Sequence, residues 1–301
     1  MSRQVRPAAR WAAGLGTAAC VFLAAAAPYA RPPAGQPAPA AARDGLRVAV
    51  CIDPLAYLVE RIGGQLVDTS VLVAPGQDPH TYEPTPGQMA RLAESRLYFA
   101  IGLPFENRLL PRIRELSSDL TVVDAGRGVA RRGGDPHIWM SPRLARTIAG
   151  NVCDALVAAD PRNTAAYRAG LDSLLADLDA LDAEIAAALK PLRGRSIYVF
   201  HDAFGYFADA YGMRQVAIET GGREPGPRHV AELIESAKAD GVRVIFVQPQ
   251  FSTMSAEAIA REIGGAVVRF DPLARDYIVN LRQAAMTVRD ALEAAAPRAP
   301  R

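Results

Sequence analysis

Residues 161–192 read "PRNTAAYRAGLDSLLADLDALDAEIAAALKPL", with apolar side chains at Tyr167, Leu171, Leu174, Leu178, Leu181, Ile185 and Leu189. Steps of three and four put all seven on one stripe of an α-helix. Asp160-Pro161 or Asn163 supplies a start and Pro191 a stop, and neither Gly nor Pro interrupts 171–190. A helical hairpin would need a turn that this segment lacks. About 28 helical residues at ~1.5 Å each would run roughly 40 Å. That is too long to lie against one small lobe, so the helix is expected to be a strut shared by two.

The sequence on either side agrees. Short apolar runs stand at 46–52, 69–74, 96–101 and 120–125, and again at 196–200, 214–218, 242–247 and 266–270. They are rich in Val, Ile, Tyr and Phe, and helical patterns separate most of them, which is the signature of α/β units with buried parallel strands. The expected fold is therefore α/β: two lobes, each a roughly four-stranded, mostly parallel sheet flanked by helices, with one long backbone helix between them. The expected boundaries are 45–160 for the first lobe, 161–192 for the helix and 193–297 for the second.

The first 44 residues are of another kind. Arg3, Arg6 and Arg10 precede the apolar run Trp11–Ala30, and a Pro/Ala-rich linker fills 31–44. A basic start, an apolar stretch and small residues form a secretory signal pattern. Export with cleavage near Ala26–Ala30 is expected, with an uncleaved N-terminal anchor as the alternative, since the run is long enough to span a bilayer. Thr17 sits poorly for lipidation of Cys20. Cys51 and Cys153 remain, in a strand-like and a helix-like run, and are expected to be buried free thiols. The 34 basic and 32 acidic residues are interspersed for a net charge of +2. That balance gives no reason to expect nucleic acid as a partner, since binding the phosphate backbone usually needs a concentrated basic patch.

The chain has four histidines. Two occupy the same tripeptide, in "DPHTYEPTP" (78–86) and "DPHIWMSP" (135–142). His80 and His137 follow strand candidates of the first lobe, while His201 follows "SIYVF" and Asp271 follows "AVVRF" in the second. All four stand beyond the carboxyl ends of strands, where open α/β sheets bind ligands. A cleft between the lobes would bring them together. Thr85-Pro86 and Ser141-Pro142 read as helix starts that pin each loop, and Pro79 and Pro136 restrict the approach to each histidine. Asp78 and Asp135 could brace these turns or orient the imidazoles, and Glu83 is near in sequence. Three imidazoles and a carboxylate make an N3O set that suits Zn2+. A histidine taken singly is more often a surface or core residue, and the spacings form no compact motif. His229, inside a helix begun by Pro227, reads as a helix-face residue.

These stretches, with "DPLAYLVERIGG" (53–64), "PGQDPHTYEPTPGQMARLAESRLYFAIGLPFE" (75–106), "FHDAFGYFADAYGM" (200–213), "GVRVIFVQPQFS" (241–252) and "FDPLA" (270–274), resemble the metal-binding proteins of zinc and manganese ABC importers. The resemblance runs over roughly 46–296. It implies an exported solute-binding protein, a monomer, with metal ligands His80, His137, His201 and Asp271 in the cleft between the lobes. It implies delivery of the ion to a membrane permease driven by a partner ATPase. Histidine rather than glutamate at 201 points to zinc, with manganese the alternative. In this chain "GRGVARRGG" replaces the His-rich loop of many zinc members, and Gln248 stands where Glu is frequent, with an expected effect on local hydrogen bonding. A zinc hydrolase with Glu83 as base and a surface adhesin are the rival readings. No H-E-x-x-H is present, and four protein ligands would leave no open position for a catalytic water.

Overall fold

The computed structural model describes residues 45–219 and 222–294. The leader and linker expected over 1–44 lie outside the described residues. The first lobe runs β1 (Leu46–Val50), α1 (Asp53–Gly63), β2 (Val67–Val71), α2 (Pro86–Ala93), β3 (Leu97–Ala100), α3 (Pro104–Leu116), β4 (Thr121–Asp124) and α4 (Pro142–Ala159). Then comes α5 (Thr164–Leu189). The second lobe runs β5 (Ser196–Val199), α6 (Gly205–Ala210), β6 (Arg214–Ala217), α7 (Pro227–Ala239), β7 (Val244–Val247), α8 (Met254–Glu262), β8 (Ala266–Arg269) and α9 (Tyr277–Ala294).

Each lobe holds a four-stranded sheet, in the orders β2-β1-β3-β4 and β6-β5-β7-β8. Every pairing is parallel, for example Val48 beside Thr69 and Leu97, and Tyr198 beside Val216 and Ile245. The two lobes thus repeat one topology. The inner strands β3, β5 and β7 are buried almost throughout, and β1 over Val48–Val50, which explains their unbroken apolar runs. Strand β2 starts earlier in the chain than its apolar run suggests, because a 3-10 turn at Gly64–Leu66 leads straight into the sheet. Leu72 and Val73 lie past its end but still bond the carbonyls of Val50 and Cys51, both at 3.0 Å.

Helix α5 is a single helix of 26 residues, extended at both ends by 3-10 turns at Pro161–Asn163 and Lys190–Leu192. All seven residues of the sequence stripe are buried. At about 1.5–3 kcal/mol for each fully buried large apolar side chain, this face outweighs anything its exposed ion pairs contribute. It packs on α1 and α4 of the first lobe and on α9 of the second. At Gly170 the helix lies hard against α1, where a Cβ would lie 2.4 Å from the Ile62 carbonyl oxygen. The main apolar core includes residues of both lobes and α5, and a second cluster fills the far side of the β5–β8 sheet. Cys51 and Cys153 are free and buried. No helix among the described residues is long and apolar enough to cross a membrane.

Direct bonds also tie the lobes. The Trp139 indole donates to the Pro272 carbonyl at 2.9 Å, and the Tyr277 hydroxyl donates to the Trp139 carbonyl at 2.6 Å. The Tyr206 hydroxyl accepts from Arg132 N at 2.9 Å and donates to the Asp135 carbonyl at 3.1 Å. Each of these bonds joins a loop beside one of the candidate ligands to the opposite lobe.

Candidate metal centre

Each "DPH" loop follows a strand of the first lobe, β2 or β4, and precedes a helix that starts with proline. Thr85 caps α2 through a complete capping box with Gln88. Ser141 precedes α4 without a side-chain cap bond, because a 3-10 turn at Ile138–Met140 runs directly into the helix. His201 lies just past β5, where Gln248 grips its backbone from both sides. The Gln248 Oε1 accepts from His201 N at 3.1 Å, and its Nε2 donates to the His201 carbonyl at 2.9 Å. The amide at 248 thus clamps the local backbone, as its position suggested.

His80, His137 and His201 come together. His201 Nε2 lies 3.0 Å from His80 Nε2 and 3.3 Å from His137 Nε2. The ligand nitrogens of all three lie within 4.8 Å of one another. Ligands about 2.0–2.1 Å from one tetrahedral zinc would sit about 3.3 Å apart. His137 and His201 are buried, while His80 is half-buried. His80, His137 and His201 share a small chamber with Gln250, Phe251 and Leu273. A more open cavity of about 410 Å³, bordered by Arg132, Asp135 and Asp202, reaches His80 and His137 from another side.

Carboxylates set the direction of two rings. Asp135 Oδ1 is 2.8 Å from His137 Nδ1, and Glu219 Oε1 is 2.6 Å from His201 Nδ1. A carboxylate partner keeps the proton on Nδ1 and turns the Nε2 lone pair toward the cluster. Phe251 packs its ring 4.8 Å from that of His201, and Trp139 lies 5.1 Å from His137. Burial, then the facing His201 and His137, push the His80 imidazole down to about 4. Burial also lowers His137, against the pull of Asp135. Burial alone would raise the Asp135 carboxyl, but bonds from the His137 ring and backbone and the charge of Arg132 prevail and lower it.

The remaining sequence candidates separate. Asp271 stands outside the group of three imidazoles. Its Oδ1 accepts from Gln250 Nε2 at 2.9 Å and from Leu273 N at 3.0 Å. Asp78 braces its turn, accepting from His80 N at 2.9 Å and from the Thr81 hydroxyl at 3.0 Å. Asp135 braces its turn in the same way, accepting from His137 N at 2.9 Å, and orients the ring as well. Glu83 is exposed. His229 is 42% exposed on α7, with Nδ1 3.6 Å from Glu232. Glu219 and Gln250 went unnoticed in the sequence. The signal for Glu219 was its place directly beyond the "RQVAI" strand, the same topological position that singled out the histidines.

Two α/β lobes of one topology, strung on a shared helix with histidines converging between them, define a class of two-lobed solute-binding protein. Residues 48–291 match the family model described as ZnuA, zinc-uptake complex component A, periplasmic, and the chain belongs to that family. The structure resembles a crystal structure of ZnuA at a TM-score of 0.80, with 40% identity, covering 82% of this chain and 99% of that one. The high-affinity zinc uptake system protein ZnuA of Bacillus subtilis is 27% identical over 243 residues, which is 73% of this chain and 76% of that protein. The laminin-binding protein of Streptococcus agalactiae, described as bifunctional with adhesin and metal-transporting activity, is 26% identical at a TM-score of 0.74. It covers 82% of this chain and 99% of that one. The family is one of solute-binding proteins of metal importers rather than of enzymes.

Proposed function

We propose that this chain captures a divalent metal ion outside the cytoplasm, zinc in preference to manganese, and hands it to a membrane permease driven by an ATPase. The proposed ligands are His80, His137 and His201, with Asp271 completing the set. The observation that carries this reading is the convergence of three Nε2 atoms contributed by both lobes. Neutral imidazole nitrogens suit zinc better than manganese, which favours oxygen. The ion is cargo. A closed set of four protein ligands holds it without leaving a position for an activated water. The long helix and the Trp139–Pro272 and Tyr277–Trp139 bonds restrict the lobes to small tilts, so loading is expected to move loops more than domains.

Isothermal titration of chelator-treated, untagged protein with Zn2+ tests the reading. One site per chain is expected, strongly weakened by His201→Ala and unchanged by His229→Ala. Undiminished binding in His201→Ala would overturn the assignment.

A further inference from the structure

The segment Gln248–Phe251 follows β7 and serves both candidate ligands of the second lobe. Gln248 clamps the backbone of His201, Phe251 packs against its ring, and Gln250 bonds the carboxylate of Asp271. Among the described residues, both donors that reach the Asp271 carboxylate, the Gln250 amide and the Leu273 backbone N–H, end on the same oxygen, Oδ1. The other oxygen, Oδ2, accepts no hydrogen bond among the described residues. Gln250 also borders the chamber of the three imidazoles. Asp271, Leu273 and Gln250 all lie at the ends of adjacent strands β7 and β8. A movement of this lobe's edge toward the imidazoles therefore carries the carboxylate and its amide partner together.

We infer that Gln250 is a specificity-determining residue: its amide and the Leu273 N–H together fill both acceptor positions of Oδ1, so that Asp271 offers the metal one oxygen rather than two. The inference rests on the proposed ligand set. With one oxygen and three nitrogens the ion is four-coordinate, the geometry of closed zinc sites. A carboxylate free to bind through both oxygens would add a fifth ligand and more oxygen character, which favours manganese. The amide at 250 thus acts against manganese without touching the ion, and Gln248, two residues earlier, fixes His201 without contributing to this choice.

The test is a competition titration with Zn2+ and Mn2+ against a chromophoric chelator, on wild-type protein, Gln250→Met, Asp271→Ala and the double variant. Methionine keeps the length of the side chain and removes the amide donor, so that Oδ1 keeps the Leu273 N–H and regains one free acceptor position. Gln250→Met is expected to lower the zinc-over-manganese affinity ratio by about tenfold, within the range that partners of metal ligands control. In the Asp271→Ala background the same substitution is expected to leave the ratio unchanged. An unaltered ratio in Gln250→Met, or an equal loss for both metals, would overturn the inference, since a purely structural role weakens both ions alike. Full zinc affinity in Asp271→Ala would instead sink Asp271 as a ligand, and the inference with it. Melting of the metal-free variants checks that they fold.

Discussion

Asp78 and Asp135 each accept the backbone N–H of the histidine two residues on, at 2.9 Å in both copies of the tripeptide. Beyond that bond the copies part. Asp135 also binds the ring of its histidine, which is 3% exposed, and its own carbonyl is held by Tyr206 from the opposite lobe. Asp78 turns its second oxygen to Thr81, and its histidine stays half-buried with no carboxylate hydrogen-bonded to its ring among the described residues. One copy presents an imidazole fixed in position and tautomer. The other presents an imidazole that meets the His201 ring but, among the described residues, has no carboxylate partner to set its tautomer. A shared sequence motif therefore specifies a turn, while the surroundings decide how rigidly the side chain is delivered.

The contrast can be broken most forcefully at the rings. His137→Ala is expected to lower zinc affinity by more than the ten- to hundredfold typical of partners that only orient ligands. His80→Ala should cost less than His137→Ala, because the ring it removes is less preorganised. Isothermal titration reads both, and equal losses would remove the distinction between a fixed and an adjustable imidazole. One step outward, Asp135→Asn is expected to weaken zinc by about ten- to hundredfold. Asp78→Asn should change it by less than about threefold, because an asparagine oxygen still accepts the backbone N–H. Parallel titrations that gave the two variants the same loss would show that both aspartates act only on the turn.

A smaller effect concerns protons. The His80 imidazole is pushed down to about 4 from an ordinary value near 6.5. Between those values the unfolded chain binds more protons than the folded one. The stability this group contributes is therefore present above about pH 6.5 and is lost as the pH falls toward about 4. Metal-free wild-type protein should lose melting temperature over that interval more steeply than His80→Asn. Matching slopes would mean that the ring titrates as a free imidazole. The same depression keeps the His80 nitrogen available to a metal in mildly acidic medium, where an ordinary histidine is already protonated.

Much of the architecture could be read from the chain because it depends on patterns that repeat. The stripe from Tyr167 to Leu189 fixes one helix, and the apolar runs fix two sets of parallel strands. The place of His80, His137 and His201 beyond strand ends needed only that map. What escaped depends on contacts across the sheet. Glu219 reaches His201 because β5 and β6 are neighbours, and Gln250 reaches Asp271 because β7 and β8 are. Neither pairing leaves a mark on local sequence. The different duties of Asp78 and Asp135 were equally hidden, since the tripeptides are identical and only the Thr81 hydroxyl and the His137 ring separate them.

Trp139 has a further consequence. The chain has two tryptophans, and the other, Trp11, lies in the N-terminal apolar run. The Trp139 indole sits beside His137 and holds a carbonyl of the opposite lobe two residues short of Ala274. Its emission is therefore expected to respond both to charge arriving at the neighbouring imidazole and to any shift of the second lobe. Unlabelled protein beginning after residue 44 would carry a single tryptophan, at the junction of its two lobes. Stopped-flow fluorescence could then resolve capture of the ion from the structural adjustment that follows it.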